Sequence, residues 1–107
     1  MIVATTNDLA GYRIVRTIGL VRGITVRSRS IFGSIGGALQ SIVGGNVTLF
    51  TTLAETSRQE ALTLMVEHAE QQGANAVIAM RYDSNEITDG ITEMLAYGTA
   101  VIVEPVP

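Results

Sequence analysis

Cysteine, lysine and tryptophan are absent from the sequence, histidine occurs once and proline twice. Without cysteine there is no disulfide framework, no thiolate zinc or iron–sulfur site and no thiol nucleophile. The same absence fits a reducing compartment. Without lysine the Walker phosphate loop cannot be built, and the GxGxxG dinucleotide fingerprint does not occur either. Long apolar runs are also missing. No stretch approaches the roughly 18 residues that a membrane-spanning helix needs. The opening MIVATTNDLAGYR has no basic start leading into an apolar core, so no secretory signal is expected. These absences predict a cytoplasmic protein that does not engage a membrane.

The formal net charge is −3, which argues against a nucleic-acid partner. The charge is unevenly spread. Residues 1–54 hold five arginines and one aspartate, whereas residues 55–107 hold two arginines and nine acids. Pairing between the two halves, within one chain or between copies, is the simplest expectation. A sharper alternative is an anion site among Arg13, Arg16, Arg22, Arg27 and Arg29.

The chain has 107 residues, 47% of them hydrophobic. That suits one domain spanning 1–107 with a single core. Ile2 to Thr5 reads as a short strand. Tyr12 to Ser28 alternates with a period of two and reads as one long strand or a hairpin, with Gly19 and Gly23 as bulge or bend positions. Ser30 to Gly45 carries apolar residues at helical spacing and predicts a short, glycine-rich helix. Asn46 is a candidate cap for a long amphipathic helix that continues to about Gln72 and stops at Gly73. Thr52 and Glu55 would form a capping box if that helix began later. Ala76 to Asp83 is a strand, Ser84-Asn85 and Thr88-Asp89-Gly90 signal a turn or loop, and Ile91 to Glu104 is the last strand. The expected fold is α+β: an antiparallel sheet packed by one long helix plus a short one.

Both faces of that sheet are apolar. The last strand places Ile91, Leu95, Tyr97, Val101 and Val103 on one side and Met94, Ala96, Ala100 and Ile102 on the other. Strand Ala76–Asp83 divides into Ile78, Met80 and Tyr82 against Val77 and Ala79. One long helix covers one face. Exposing about five large aliphatic side chains on the other forfeits ~1.5–3 kcal/mol each, a sum comparable with the ~5–15 kcal/mol that holds a domain folded. A second copy of the chain is the expected cover, with the short helix as the alternative.

Four segments together carry a family resemblance: IVGGN at residues 42–46, EALTLMVEHAEQQ at 60–72, GANAVIAMRYDS at 73–84 and EMLAYGTAVIV at 93–103. Over nearly its full length the chain resembles the YbjQ-like family. The resemblance implies a dodecin-like subunit assembled into a ring-shaped homo-oligomer, a homopentamer, and it brings a family label of heavy-metal binding.

The sequence offers little for a soft metal, which wants thiolate, imidazole or thioether ligands. His68 is the one candidate metal ligand, with Met65 a turn before it. It lies on the apolar side of the helix, where a hydrogen-bonded core or interface histidine is the plainer reading. Several copies of His68 around a ring axis would make a multi-histidine site. Asp83, Glu86, Asp89 and Glu93 match no calcium loop and read as a solvated turn. GSIGG at 33–37 and VGGN at 43–46 could offer N–H groups to an anion, but a tight connection between helices is simpler. Ser57, Ser84 and Tyr97 have no evident base partner. His68 and Glu67 diverge by about 100° as helix neighbours. The expected function is a non-catalytic homo-oligomeric binding or scaffold protein that holds a metal ion or small ligand at subunit contacts. An enzyme with an inter-subunit active site and a purely structural ring are the alternatives.

Overall fold

The protein is described by a computed structural model that covers residues 1–28 and 47–107. The expected short helix at Ser30–Gly45, the Asn46 cap, both glycine-rich segments and Arg29 lie outside the described residues.

Among the described residues four strands and one helix follow in the order β1 (Ile2–Val3), β2 (Tyr12–Ser28), α1 (Val47–Gln71), β3 (Ala76–Thr88) and β4 (Ile91–Pro105). The spatial order in the sheet is β1-β3-β4-β2. The β3–β4 and β4–β2 ladders are antiparallel, but β1 runs parallel to β3. The sheet is therefore mixed, which corrects the all-antiparallel expectation. The long connection from β1 through β2 and α1 allows β1 and β3 to run the same way, as a tight turn would not.

β2 is one unbroken strand rather than a hairpin. Its 17 residues span roughly 56 Å at about 3.3 Å per residue, and the molecule measures 58 × 28 × 18 Å. Gly19, at φ 137°, sits in the second of two register shifts against β4, as a bulge glycine should. Gly23 has a different job. A Cβ there would stand 2.1 Å from the Ala61 carbonyl oxygen and 2.5 Å from the Met65 nitrogen. Glycine lets the α1 backbone lie directly on β2.

α1 ends in a Schellman motif. The Ala74 N–H donates to Ala69 O at 3.0 Å and the Gly73 N–H to Glu70 O at 2.9 Å, with Gly73 at φ 86°. Thr52 and Glu55 lie inside the helix, so they do not form its start. The buried stripe is Ala61, Met65 and Ala69, one residue per turn. It packs with Val21, Val77, Met80, Ala96 and Ala100. The other sheet face carries a smaller cluster of Ala76, Ile78, Val101 and Val103, closed by Ile2, Leu9 and Ile14. The first stretch of the chain thus covers part of the face that was expected to need a second copy.

β3 departs from its expected pattern at Ala79, which has φ 52° without being glycine. The ladder to β4 shifts register between Ile78 and Arg81, and the bulge moves every later side chain to the opposite face. Met80 consequently joins Val77 under the helix, while Ile78 faces away from both. The bulge is tied to the chain start, because the Ala79 N–H donates to Thr6 O at 2.7 Å and the Met80 N–H to Ala4 O at 3.0 Å. β3 also runs through Ser84-Asn85 to Thr88, since β4 supplies ladder partners as far as Ile91. The turn is confined to Asp89-Gly90, with Gly90 at φ 80°.

Candidate functional site

Two regions of chemical interest flank α1 where it crosses β2. Beyond that crossing, no described element covers one face of the sheet.

His68 lies half-buried on the flank of α1. Its Nδ1 accepts the backbone N–H of Arg22 at 3.2 Å. Among the described residues β2 is an edge strand with no ladder partner on its outer side, and this bond satisfies one of its N–H groups. The imidazole borders a cleft of about 350 Å³ with Arg22, Ile24, Leu64, Glu67 and Gln71. A neutral imidazole whose Nδ1 accepts carries its proton on Nε2. Coordination of a metal through Nε2 needs the other tautomer, and therefore release of the Arg22 N–H. Among the described residues no three His, Asp or Glu side chains come together as a metal-binding group. Met65 is fully buried in the core.

Three of the four carboxylates of the β3–β4 hairpin, Asp83, Glu86 and Glu93, hold the hairpin's own donors. Asp83 accepts the Ser84 N–H at 2.9 Å and the Asn85 side-chain amide at 3.2 Å. Glu86 accepts the Gly90 N–H at 3.0 Å. Glu93 accepts the Asn85 amide at 3.5 Å. Ser84 Oγ donates to the Glu93 carbonyl at 3.2 Å, so its proton is directed at backbone rather than at a base. The segregated charge is used as expected in two places, where Arg13 pairs with Glu104 and Arg27 with Glu60. Neither contact gathers the arginines into an anion site.

Thr25 is the polar residue that sequence reasoning missed. It follows Val21 and Gly23 in the β2 stripe under α1 and is 7% exposed. Its Oγ1 is buried and has no hydrogen-bond partner among the described residues, a state that costs about 1–3 kcal/mol. A hydroxyl alternating with Val21 on the helix-facing side was the available signal. It lines a cleft of about 170 Å³ between the helix and the sheet.

The bare face follows from the same alternation. From residue 20 onward, the odd positions of β2 lie under α1 and the even positions point away. The even stripe is the greasier one. Leu20 is 67% exposed, Val26 49% and Ile24 41%. Leu20 and Arg22 share a second cleft on that face with Asp83, Leu95 and Tyr97.

A family model described as "Putative heavy-metal-binding" matches residues 1–104. The chain belongs to the YbjQ-like (UPF0145) family. It is 58% identical over 103 residues to a UPF0145 protein of Solibacter usitatus, covering 96% of this chain and 92% of the relative. A UPF0145 protein of Burkholderia lata is 57% identical over 103 residues, with coverage of 96% and 87%. The fold matches a crystal structure of a DUF74-family protein of unknown function from Pediococcus pentosaceus. That match has a TM-score of 0.60 at 15% identity and spans 97% of this chain and 98% of the other. The likeness supports the architecture of one helix on a four-stranded sheet. No helix among the described residues is long and apolar enough to cross a membrane.

Proposed function

We propose that this protein is a non-catalytic, homo-oligomeric binding or scaffold protein, a dodecin-like ring in which each copy covers the bare sheet face of its neighbour. The observation that carries the reading is the stripe of Leu20, Ile24 and Val26 lying exposed beside Leu95 and Tyr97. Side chains of this kind stabilise a structure by ~1.5–3 kcal/mol each when fully buried, and the even stripe of β2 obtains little of that from its own chain. The elongated shape agrees. The radius of gyration is 17.4 Å, against about 13 Å for a compact domain of this size. Five copies is the ring size that the family resemblance suggests.

Light scattering and native mass spectrometry of the purified protein test this directly. The expected result is a closed oligomer that Leu20→Glu with Ile24→Glu reduces to folded protomers. A wild-type protein that stays monomeric at micromolar concentration ends the proposal.

The family label brings metal binding at subunit contacts into the same reading, with His68 as the ligand. Support comes from its position on a cleft beside the exposed stripe. Each copy contributes one imidazole and gives up its Arg22 bond to do so, so the affinity depends on assembly. Metal analysis of native-purified protein and titration of His68→Ala test this part. Equal binding by wild type and variant removes His68 from the site.

A further inference from the structure

We propose that the outer edge of β2 from Leu20 to Ser28, with the flank of α1 above it, is a docking site for the distal edge of β3, residues 82–88, of a second copy. The assignment rests on the ring reading above, in which copies associate, and names the edges through which they meet.

β2 divides into a guarded half and an open half. Its first half carries two register shifts, at Val15 and Ile18, together with Arg13 and Arg16. Bulges and charges are the devices by which edge strands avoid pairing with other chains. From Gly19 to Ser28 the ladder to β4 is unbroken. The Arg22 N–H points away from β4, since it donates to His68 Nδ1. Antiparallel pairing alternates, so Ile24 and Val26 also direct N–H and C=O outward. Among the described residues no strand meets them. A groove of about 790 Å³ runs above this edge, walled by Thr51, Thr52, Thr56, Thr63 and Leu64 of α1. Leu64 also borders the His68 cleft, which places the groove on the edge side of the helix. From Thr51 to Leu64 the helix wall spans roughly 20 Å at about 1.5 Å per residue. That is room for about six residues of extended chain at about 3.3 Å each. Threonine methyls and Leu64 suit the wall to apolar side chains.

Packing and charge select which edge of a second copy enters. A second β2 fails on both. Gly23 lets α1 lie directly on β2, and paired strands stand about 4.8 Å apart, whereas packed helix axes need about 8–10 Å. β2 also holds four arginines and no acid, so two copies would set like charges side by side. The distal edge of β3 fits. β1, Ala4 and Thr6 flank β3 only as far as Met80. Residues 82–88 hold Asp83 and Glu86 and no base. α1 packs chiefly on β2 and β4, so the two helices would stand about three strand spacings apart, roughly 14 Å. Tyr82 lies opposite Ala96 on the helix side of the sheet and is 42% exposed. In the docked strand it enters the groove beneath the neighbour's α1.

The absence of cysteine makes disulfide trapping clean. Val26→Cys is combined in turn with Asp83→Cys, Asn85→Cys and Ile87→Cys in the full chain, and oxidised samples are read on denaturing gels beside light scattering. Val26 and Asn85 both partner Glu93. Within one copy they therefore stand about 9.6 Å apart, across two strand spacings, beyond the ~7 Å that a disulfide bridges. Any bond forms between copies. The expected result is a ladder of covalent multimers from at least one pair. Thr56→Arg, at an exposed position, fills the groove and should abolish the ladder with the circular dichroism unchanged. Tyr82→Ala should raise the dissociation constant about tenfold. Undiminished association in both variants overturns the proposal. Multimers that form no ladder with any pair overturn it and leave the ring reading standing. A covalent dimer from Val26→Cys alone also overturns it, since β2 then meets β2. A monomeric protein ends both.

Discussion

Near β1 both faces of the sheet are sealed by the chain itself. α1 covers Val77 and Ala100, and on the opposite face Ile2, Leu9 and Ile14 close over Ala76, Ile78, Val101 and Val103. Beyond Leu20 the same strands run on with α1 on one face, while Leu20, Ile24 and Val26 stand exposed on the other. The two ends are built from similar residues, so composition does not separate them. Position along the sheet does: an aliphatic side chain stabilises the protomer only where a covering element reaches it.

The largest effect expected on this arrangement comes from Gly23→Val. The new Cβ would meet backbone atoms of Ala61 and Met65 rather than a yielding side chain, and the helix would lift from β2. A loss of about 3 kcal/mol or more is expected, read as a collapse of the urea midpoint. Met65→Ala should cost about 2–5 kcal/mol by leaving a cavity in the same layer. If Gly23→Val melts at the wild-type temperature, the close crossing does not organise the two ends.

A matched pair of truncations sharpens the contrast. Val101→Ala at the sealed end should cost about 2 kcal/mol at any protein concentration. Ile24→Ala at the bare end should cost almost nothing in a dilute protomer. Its cost should rise towards that of Val101→Ala at concentrations where copies associate, because association stabilises only the folded state. Urea melts at two concentrations a hundredfold apart make the comparison. Equal, concentration-independent losses at both positions would mean that the bare face needs no second copy.

Much of this contrast was legible in the sequence. Period-two runs in residues 12–28 and 91–104 announced strands apolar on both faces, and the 3.6-residue pattern up to Gly73 gave the long helix. The assignment of side chains to faces was not legible past Ala79. Its left-handed backbone arises from bonds to Thr6 and Ala4, more than seventy residues away in the chain, and no local pattern encodes it. The parallel direction of β1 is hidden for the same reason. The sequence put His68 on the apolar side of the helix with a hydrogen bond to satisfy it; it lies half-buried on the flank, and its partner, the Arg22 N–H, depends on the edge position of β2. Thr25 looked like any strand threonine until α1 was laid over it.

Two intermediate predictions probe the places where the ends are tied together. Ala79→Gly should stabilise the protein by about 1 kcal/mol, since a non-glycine residue at φ 52° carries roughly that penalty; a matching fall in melting temperature would show that the alanine methyl matters more than its backbone. His68→Ala should cost about 1 kcal/mol by leaving the Arg22 N–H without its acceptor. Faster amide exchange at Arg22 is the specific readout, and unchanged exchange would show that water replaces the ring without loss.

The smallest effect is expected from Arg13→Ala, although Arg13 and Glu104 join the first half of the chain to the second. Both side chains are largely exposed, at 64% and 47%, and an ion pair in that setting contributes about 0–1 kcal/mol. The pair also lies at the sealed end, where β2 and β4 are already held in register by their backbone ladder. Arg27→Ala breaks the corresponding pair at the other end, where side-chain exposure is lower on the arginine. A larger loss there than at Arg13, with both below about 1 kcal/mol in thermal melts, would show that the segregated charge helps most where packing is least complete. The reverse order would mean that the basic first half and acidic second half are arranged for solubility or for meeting another copy, and that the fold of the protomer is indifferent to them.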